Sequence, residues 1–246
     1  MTLQDIISNA STLFVLPDSV TRLKACMDDG ASNIDDIADI ISFDPSLATQ
    51  LLRVANSALY RFPNKIDTIT KALQVVGTRS TYDLALAFGV SQAFKEIDGQ
   101  VIDLDKFWEQ SVSCGLLAKY FAEMRNIREP ERLFVAGLLH NIGELVVVDM
   151  LPDSAKRCQA FNARVSPAEL QAGVLGYTFT NVSAGIIKEW GIPETIYKPI
   201  ANIHGEKRNQ SDIEEQILQL SYVLALDNVN SEIYPSYNNL KPELHE

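Results

Sequence analysis

The sequence is poor in the residues that build disulfide frameworks and metal sites. Its 246 residues include three cysteines and three histidines. The cysteines Cys26, Cys114 and Cys158 form no CxxC pair, and their spacing matches neither a zinc finger nor a disulfide scaffold. This usage favours a reducing compartment. The N-terminal segment also lacks a basic start followed by an unbroken apolar run, unlike a secretory signal. We therefore expect a cytoplasmic protein.

Positive charge is the second shortage. The chain has 21 Lys and Arg against 32 Asp and Glu, which gives a formal net charge of −11. Affinity for DNA or RNA comes largely from Lys and Arg that neutralise phosphates, so this balance argues against a nucleic-acid partner. It leaves room for one small anionic ligand in a local basic pocket.

Long apolar runs are also missing. The most apolar segment, 133–151, is interrupted by His140, Asn141, Glu144 and Asp149. A membrane span needs about 20 mostly apolar residues, so this segment predicts a buried helix and no membrane partner. The sequence further lacks a GxxxxGK[ST] phosphate loop, a GxSxG motif, strand-like alternation and an internal repeat.

Helical periodicity and helix-terminating residues fill the chain instead. We expect Asn33 and Asp44 to cap helices, Gly77 to close a helix over 69–76, and Pro167 to open another. One helix is predicted from Leu133 to about Asp149. Two further predicted N-caps are Thr180 or Asn181 for a helix that ends at Trp190-Gly191, and Ser211 for the final helix.

The best predicted boundary lies at Asp98-Gly99. It divides the chain into an N-terminal helical lobe (1–98), a helical core (99–230) and a non-helical tail (231–246). The fold class predicted from these patterns is all-α, with more than ten helices.

Three ordered stretches resemble the HDOD family, HD-related output domains of bacteria. The resemblance covers roughly 16–229 and is carried by these motifs: Asp44-Pro45-Ser46-Leu47 through Asn56-Ser57-Ala58, Ile66 to Gly77, and Gly137-Leu138-Leu139-His140-Asn141-Ile142-Gly143, which is preceded by Phe107-Trp108 and followed by Trp190-Gly191-Ile192-Pro193. It implies an HD-domain-like helical bundle with an N-terminal helical lobe packed on it. It also implies signal transduction, usually without demonstrated catalysis.

The same resemblance implies a degenerate metal site. HD phosphohydrolases hold a divalent cation with a His, an adjacent His-Asp pair and a later Asp, and the cation activates water. Here the pair is His140-Asn141, the first ligand position is Gln110, and a later His of many relatives falls at Phe179. Asp227 is a candidate for the last ligand. The resemblance therefore predicts no metal and no other cofactor.

His140 has two readings. Its apolar neighbours favour a buried, hydrogen-bonded core histidine, and the alternative is a contact to a metal or ligand, for example with His204 and a carboxylate. If the cation is absent, we expect Asn141 and Gln110 to hydrogen-bond each other or His140.

Basic residues cluster between positions 53 and 79. They are Arg53, Arg61, Lys65, Lys71 and Arg79, and the one acid among them is Asp67. These side chains either line a groove for an anionic ligand or an acidic partner, or are scattered solvated charges.

Taken together, the patterns predict a non-catalytic signal-transduction module that acts through contacts with other signalling proteins. The alternatives are a metal-dependent phosphohydrolase and a sensor that binds a small anion without turning it over. Turnover abolished by His140→Ala would overturn the first interpretation.

Overall fold

The computed structural model describes residues 1–29, 33–57, 65–94, 97, 99, 101–161, 164–204 and 212–230. These residues form fourteen α-helices: α1 (Leu3–Leu13), α2 (Asp18–Asp28), α3 (Ile34–Ser42), α4 (Pro45–Ala55), α5 (Ile69–Val76), α6 (Thr78–Ala93), α7 (Leu104–Met124), α8 (Glu131–Leu139), α9 (Ile142–Met150), α10 (Pro152–Cys158), α11 (Pro167–Leu175), α12 (Phe179–Glu189), α13 (Glu194–Ala201) and α14 (Ile213–Val229). The predicted all-α class is confirmed.

The helices are grouped into two compact units. The small unit is Phe14–Glu96 and contains α2 to α6, and the large unit is Met1–Leu13 together with Ile97–Glu246. The division lies close to the predicted boundary at Asp98-Gly99. It differs from the predicted lobe of residues 1–98 in one respect, because α1 packs against α12 through a face of buried isoleucines and so belongs to the large unit.

Local caps explain why the small unit folds as predicted. Asn33 accepts hydrogen bonds from the backbone of α3 and forms a capping box with Asp36. Asp44 accepts the N–H groups of Ser46 and Leu47 at the start of α4. Gly77 ends α5 at a φ of 89°, a conformation that side chains strongly disfavour.

Two predicted caps were misplaced. Helix α12 is capped by Thr178, and not by Thr180 or Asn181. The Thr178 hydroxyl accepts a hydrogen bond from the Asn181 N–H, and the Asn181 side-chain oxygen accepts one from the Thr178 N–H. Asp212 caps α14 by accepting the Glu214 N–H. Ser211 and the predicted tail 231–246 lie outside the described residues.

The core of the large unit is built around α7 and the apolar pair α8 and α9. The segment Glu131–Met150 is long and apolar enough to cross a membrane, but 72% of it is buried inside the protein, as in the core helix of a globular domain. The prediction of a buried helix is confirmed for this segment, with one change described below.

Candidate functional site

The predicted helix from Leu133 to Asp149 is broken at His140-Asn141. Helix α8 ends at Leu139 and α9 begins at Ile142. At the break, the Gly143 N–H donates to the Ser183 hydroxyl of α12 at 2.8 Å, and the Glu144 N–H bonds the Asn141 carbonyl in a tighter turn. The partner from another helix explains why the sequence predicted one helix and the chain forms two.

The His140 side chain is 0% exposed and lies against aromatic and backbone groups. Its Nδ1–H donates to the Gly137 carbonyl at 2.5 Å, which leaves Nε2 as the acceptor of a neutral ring. That Nε2 has no hydrogen-bond partner among the described residues. Burial lowers the pKa of His140 to about 4, so the ring is neutral at pH 7.

A second histidine lies close to the first. The rings of His140 and His204 both meet the Tyr222 ring of α14 edge-on, with centroids 5.4 Å and 5.0 Å from it. Burial lowers the pKa of His204 to about 4, and repulsion from a charged His140 acts in the same direction. The sequence had named both histidines, but the shared tyrosine was not foreseen.

Asn141 does not make the hydrogen bond that the sequence led us to expect. Its amide donates to the Glu144 carboxyl, which also accepts from Gln159. Burial raises the pKa of Glu144 to about 7, against the effect of these two bonds. In the part of the chain that the structure describes, no hydrogen bond joins Gln110 to Asn141 or His140.

Gln110 nevertheless lies near the level of His140, as the register of α7 and α8 shows. Lys119 of α7 pairs with Glu131 of α8 at 3.1 Å. One turn back along α7, Gly115 touches Gly137, and a Cβ added to Gly137 would lie 2.6 Å from Gly115 Cα. The two helices therefore run antiparallel, and one more turn brings positions 110 and 111 to the level of His140.

Ser111 is the residue that the sequence analysis missed. It lies on the buried face of α7, and its Oγ has no hydrogen-bond partner among the described residues. A hydroxyl donor and the His140 Nε2 acceptor thus occupy one level of the α7–α8 interface, both withdrawn from solvent. Serine is common in helices, so its type alone gave no signal.

Phe179 is the position at which the family resemblance placed a histidine of many relatives. It is the first residue of α12, its side chain is buried, and its N–H donates to the Gln171 side chain. A phenyl ring offers no lone pair to a cation. Asp227 lies on α14 and is half-buried.

The side chains present do not fit a divalent metal. Among the described residues, no group of three or more His, Cys, Asp or Glu is placed to hold an ion. Catalytic zinc sites use at least three protein ligands, and the positions at issue offer two neutral imidazoles, two amides, a phenyl ring and the carboxylate of Asp227, which belongs to no such group among the described residues. The buried His140 and the half-buried His204 instead form a neutral polar group around Tyr222.

The basic residues of the small unit are engaged in different ways. Lys71 pairs with Asp67 at 2.9 Å, and both side chains are exposed. Arg79 lies 3.7 Å from Asp83 and places its guanidinium 5.5 Å from the Tyr82 ring centre. Arg53 and Lys65 are exposed, and Arg61 lies outside the described residues. The anion groove stays a prediction.

Comparison with known proteins agrees with this helical arrangement. The chain is 25% identical over 195 residues to an uncharacterized protein of Treponema pallidum (strain Nichols), which covers 77% of this chain. The chain spans only 37% of the length of that relative.

Three solved structures share the fold. An HDOD domain protein with unknown function from Geobacter sulfurreducens has a TM-score of 0.76 and 22% identity, over 92% of this chain and 78% of that one. A candidate phosphohydrolase from Shewanella amazonensis SB2B has a TM-score of 0.74 and 24% identity, over 90% and 80%. A candidate signal transduction protein from Marinobacter aquaeolei VT8 has a TM-score of 0.71 and 21% identity, over 100% and 58%.

The family assignment rests on the match along the chain itself. The family model for the HDOD domain matches residues 13–206, which include the motifs at Asp44, Asn56 and His140. The chain therefore belongs to the HDOD domain family.

Proposed function

We propose that this chain is a non-catalytic output module of bacterial signal transduction that works in the cytoplasm through contacts with other signalling proteins. The observation that carries the proposal is the donor set around His140. Two neutral histidines beside one tyrosine stand with the amides of Gln110 and Asn141 and the ring of Phe179. Asp227 joins them in no group of three ligands among the described residues, and a hydrolytic metal centre needs such a group.

The closure of this region supports the same reading. His140 is fully buried and Asn141 is held by Glu144 through a side-chain hydrogen bond. A phosphoester has to reach an ion or a general base within hydrogen-bond distance before it can react. A ring with no exposed atom gives a substrate no such access, whereas contact signalling needs only the helix surfaces.

The formal net charge of −11 supports a protein partner over a nucleic acid. A small anionic ligand fits the proposal if it binds the exposed basic residues of the small unit, such as Arg53 and Lys65, and is released unchanged. The solved relatives described as signal transduction protein and phosphohydrolase share the fold, and fold alone does not fix function.

Metal content and turnover test the proposal together. The purified protein is incubated with Mn²⁺, desalted and examined by mass spectrometry for bound metal, and then assayed on bis(p-nitrophenyl) phosphate. We expect substoichiometric metal and a rate equal to the buffer blank. The matched control is His140→Phe, which removes both ring nitrogens at similar volume.

A phosphohydrolase would give the opposite pattern. One ion per chain, with turnover that disappears in His140→Phe while the fold persists by circular dichroism, would contradict the proposal. Calorimetry with inorganic phosphate tests the alternative of an anion sensor. Heat of binding to phosphate, together with no turnover of bis(p-nitrophenyl) phosphate, would show that this signalling module also has a ligand.

A further inference from the structure

Helix α7 is buried on one side and carries an apolar stripe on the other. Its buried side packs against α8 and α14. On the opposite side four large apolar residues recur every fourth position and are exposed. They are Val112 (42% exposed), Leu116 (46%), Tyr120 (55%) and Met124 (62%). Residues spaced by four form one of the ridges through which helices pack.

The stripe is large for a surface that faces water. Its four side chains expose about 400 Å², within the range of the largest patches on monomers, which are often functional. A standard interface takes about 800 Å² from each partner and is about 60% apolar, so it needs about 480 Å² of apolar surface per chain. Half-buried Leu117 and Phe121 follow two residues of the stripe and add further exposed apolar surface.

The pattern of the stripe is complementary to itself. When two copies of α7 run antiparallel about a twofold axis, Val112 lies opposite Met124 of the other copy, and Leu116 lies opposite Tyr120. A twofold interface needs this self-complementarity, because the same patch serves both subunits. A parallel pairing about a twofold axis would instead set each residue of the stripe against its own copy, as in parallel coiled coils.

The charges at the two ends of α7 favour the same orientation. The exposed charges at its N-terminal end are the acids Asp103, Asp105 and Glu109 and the base Lys106, so this end is net acidic. At the C-terminal end the exposed charges are Arg125, Arg128, Glu129 and Glu123, and the last of these lies 3.9 Å from the Lys119 ammonium. Antiparallel pairing brings the acidic end of one copy to the more basic end of the other, which opposes the repulsion expected from a net charge of −11.

We propose that the exposed stripe of α7 is the interface of a homodimer of this chain, formed by antiparallel packing of α7 on α7 of a second copy. Leu116 and Tyr120 form its centre. The dimer places the two copies of the His140 region on the far sides of the paired helices, because α8 packs on the buried side of α7.

Sedimentation velocity on the full chain tests the interface. We expect a concentration-dependent dimer, and Leu116→Glu should weaken the association more than about 30-fold, as loss of a central interface residue does. Phe43→Glu is the control, since Phe43 is 79% exposed in the small unit and should leave the dimer unchanged. Both changes lie on the surface, so thermal melting should stay close to that of the parent.

A charge exchange tests the orientation. The variant Asp105→Lys/Glu109→Lys should weaken the dimer about threefold or more, and adding Arg125→Glu/Arg128→Glu should restore it. A monomer at high concentration would overturn the proposal, whether the stripe is covered by residues 231–246 of its own chain or by nothing. A dimer that Leu116→Glu leaves intact would overturn it as well.

Discussion

Asn56 and His140 belong to two motifs of the same family resemblance, and they use their polar atoms in opposite ways. The Asn56 amide donates to the Leu52 and Ile66 carbonyls at 2.8 Å and 2.7 Å, and its oxygen accepts the Ile66 N–H at 2.9 Å. His140 uses one nitrogen and leaves the other buried without a partner among the described residues.

Asn56 therefore stabilises the fold through its hydrogen bonds, whereas His140 mainly fills space in the core. Asn56 ends α4 and links it to the chain ten residues later, and its amide satisfies the Leu52 carbonyl at the end of the helix. A buried polar atom without a partner costs about 1–3 kcal/mol relative to water. His140 therefore contributes to stability through its volume more than through its hydrogen bonding.

The largest expected effect on stability comes from removing the His140 ring, which tests whether His140 acts through its volume. Removing the ring by His140→Ala leaves a cavity in a closely packed core and should lower the free energy of unfolding by about 3–4 kcal/mol. His140→Phe fills the same space and removes the unpaired nitrogen, so it should change stability by about 1 kcal/mol or less. Urea denaturation measures both. Equal losses in the two variants would show that hydrogen bonding, and not volume, is what His140 supplies.

Lowering the pH should destabilise the fold through His140 and His204, whereas Asn56 does not titrate. Their folded pKa of about 4 lies below the unfolded value of 6.5, so the unfolded chain binds more protons between these values. Stability should fall as the pH drops from 6.5 to 4, by roughly 3 kcal/mol for His140 alone. Denaturation midpoints measured across this range should show the fall, and a smaller one in His140→Phe.

Glu144 acts in the opposite direction over part of the same range. Its folded pKa of about 7 lies above the usual 4.5, so its contribution is complete below pH 4.5 and is lost as the pH rises through 7. The variant Glu144→Gln keeps an acceptor for Asn141 without the charge and should expose the full acid slope of the histidines. If the change of stability with pH were the same in Glu144→Gln as in the parent protein, the raised pKa of Glu144 would be contradicted.

The smallest expected effect concerns Asn56. Asn56→Ala removes three hydrogen bonds, but the side chain is exposed and water replaces part of them, so the loss should be about 1–2 kcal/mol. Ser57→Ala is the matched control, because Ser57 donates one bond to the Val54 carbonyl, and it should cost about 0.5 kcal/mol. The measurement is the difference between the free energies of unfolding of the two variants. If Ser57→Ala lowered stability as much as Asn56→Ala, the additional hydrogen bonds of Asn56 would not be what stabilises this helix end.

The sequence was most informative where a helix end depends on its own neighbours. The caps at Asn33 and Asp44 and the stop at Gly77 involve residues at most four positions apart, so the pattern contains the whole interaction. The Thr178 cap was missed by two residues because Thr180 offers the same hydroxyl. A hydroxyl alone does not identify which residue begins the helix.

The site was less predictable because its contacts join distant parts of the chain. The break at His140 depends on Ser183, forty positions away, and the histidines share Tyr222 of the last helix. The residue types predict few metal ligands, and that stays a prediction. They could not show that the Asn141 amide donates to the Glu144 carboxyl. The two side chains meet only because α9 begins between them, at Ile142.

The contact between Gly115 and Gly137 has a mechanical consequence. With the two backbones touching, no compressible side chain lies between α7 and α8 at this level, and packed interiors yield very little. Helix α8 therefore has no room to approach α7 further at this level, one turn from the point where α8 ends. An alanine at Gly137 would place its Cβ 2.6 Å from the Gly115 Cα, and one at Gly115 would place it 2.7 Å from the Phe134 carbonyl oxygen, so either change would force the two helices apart.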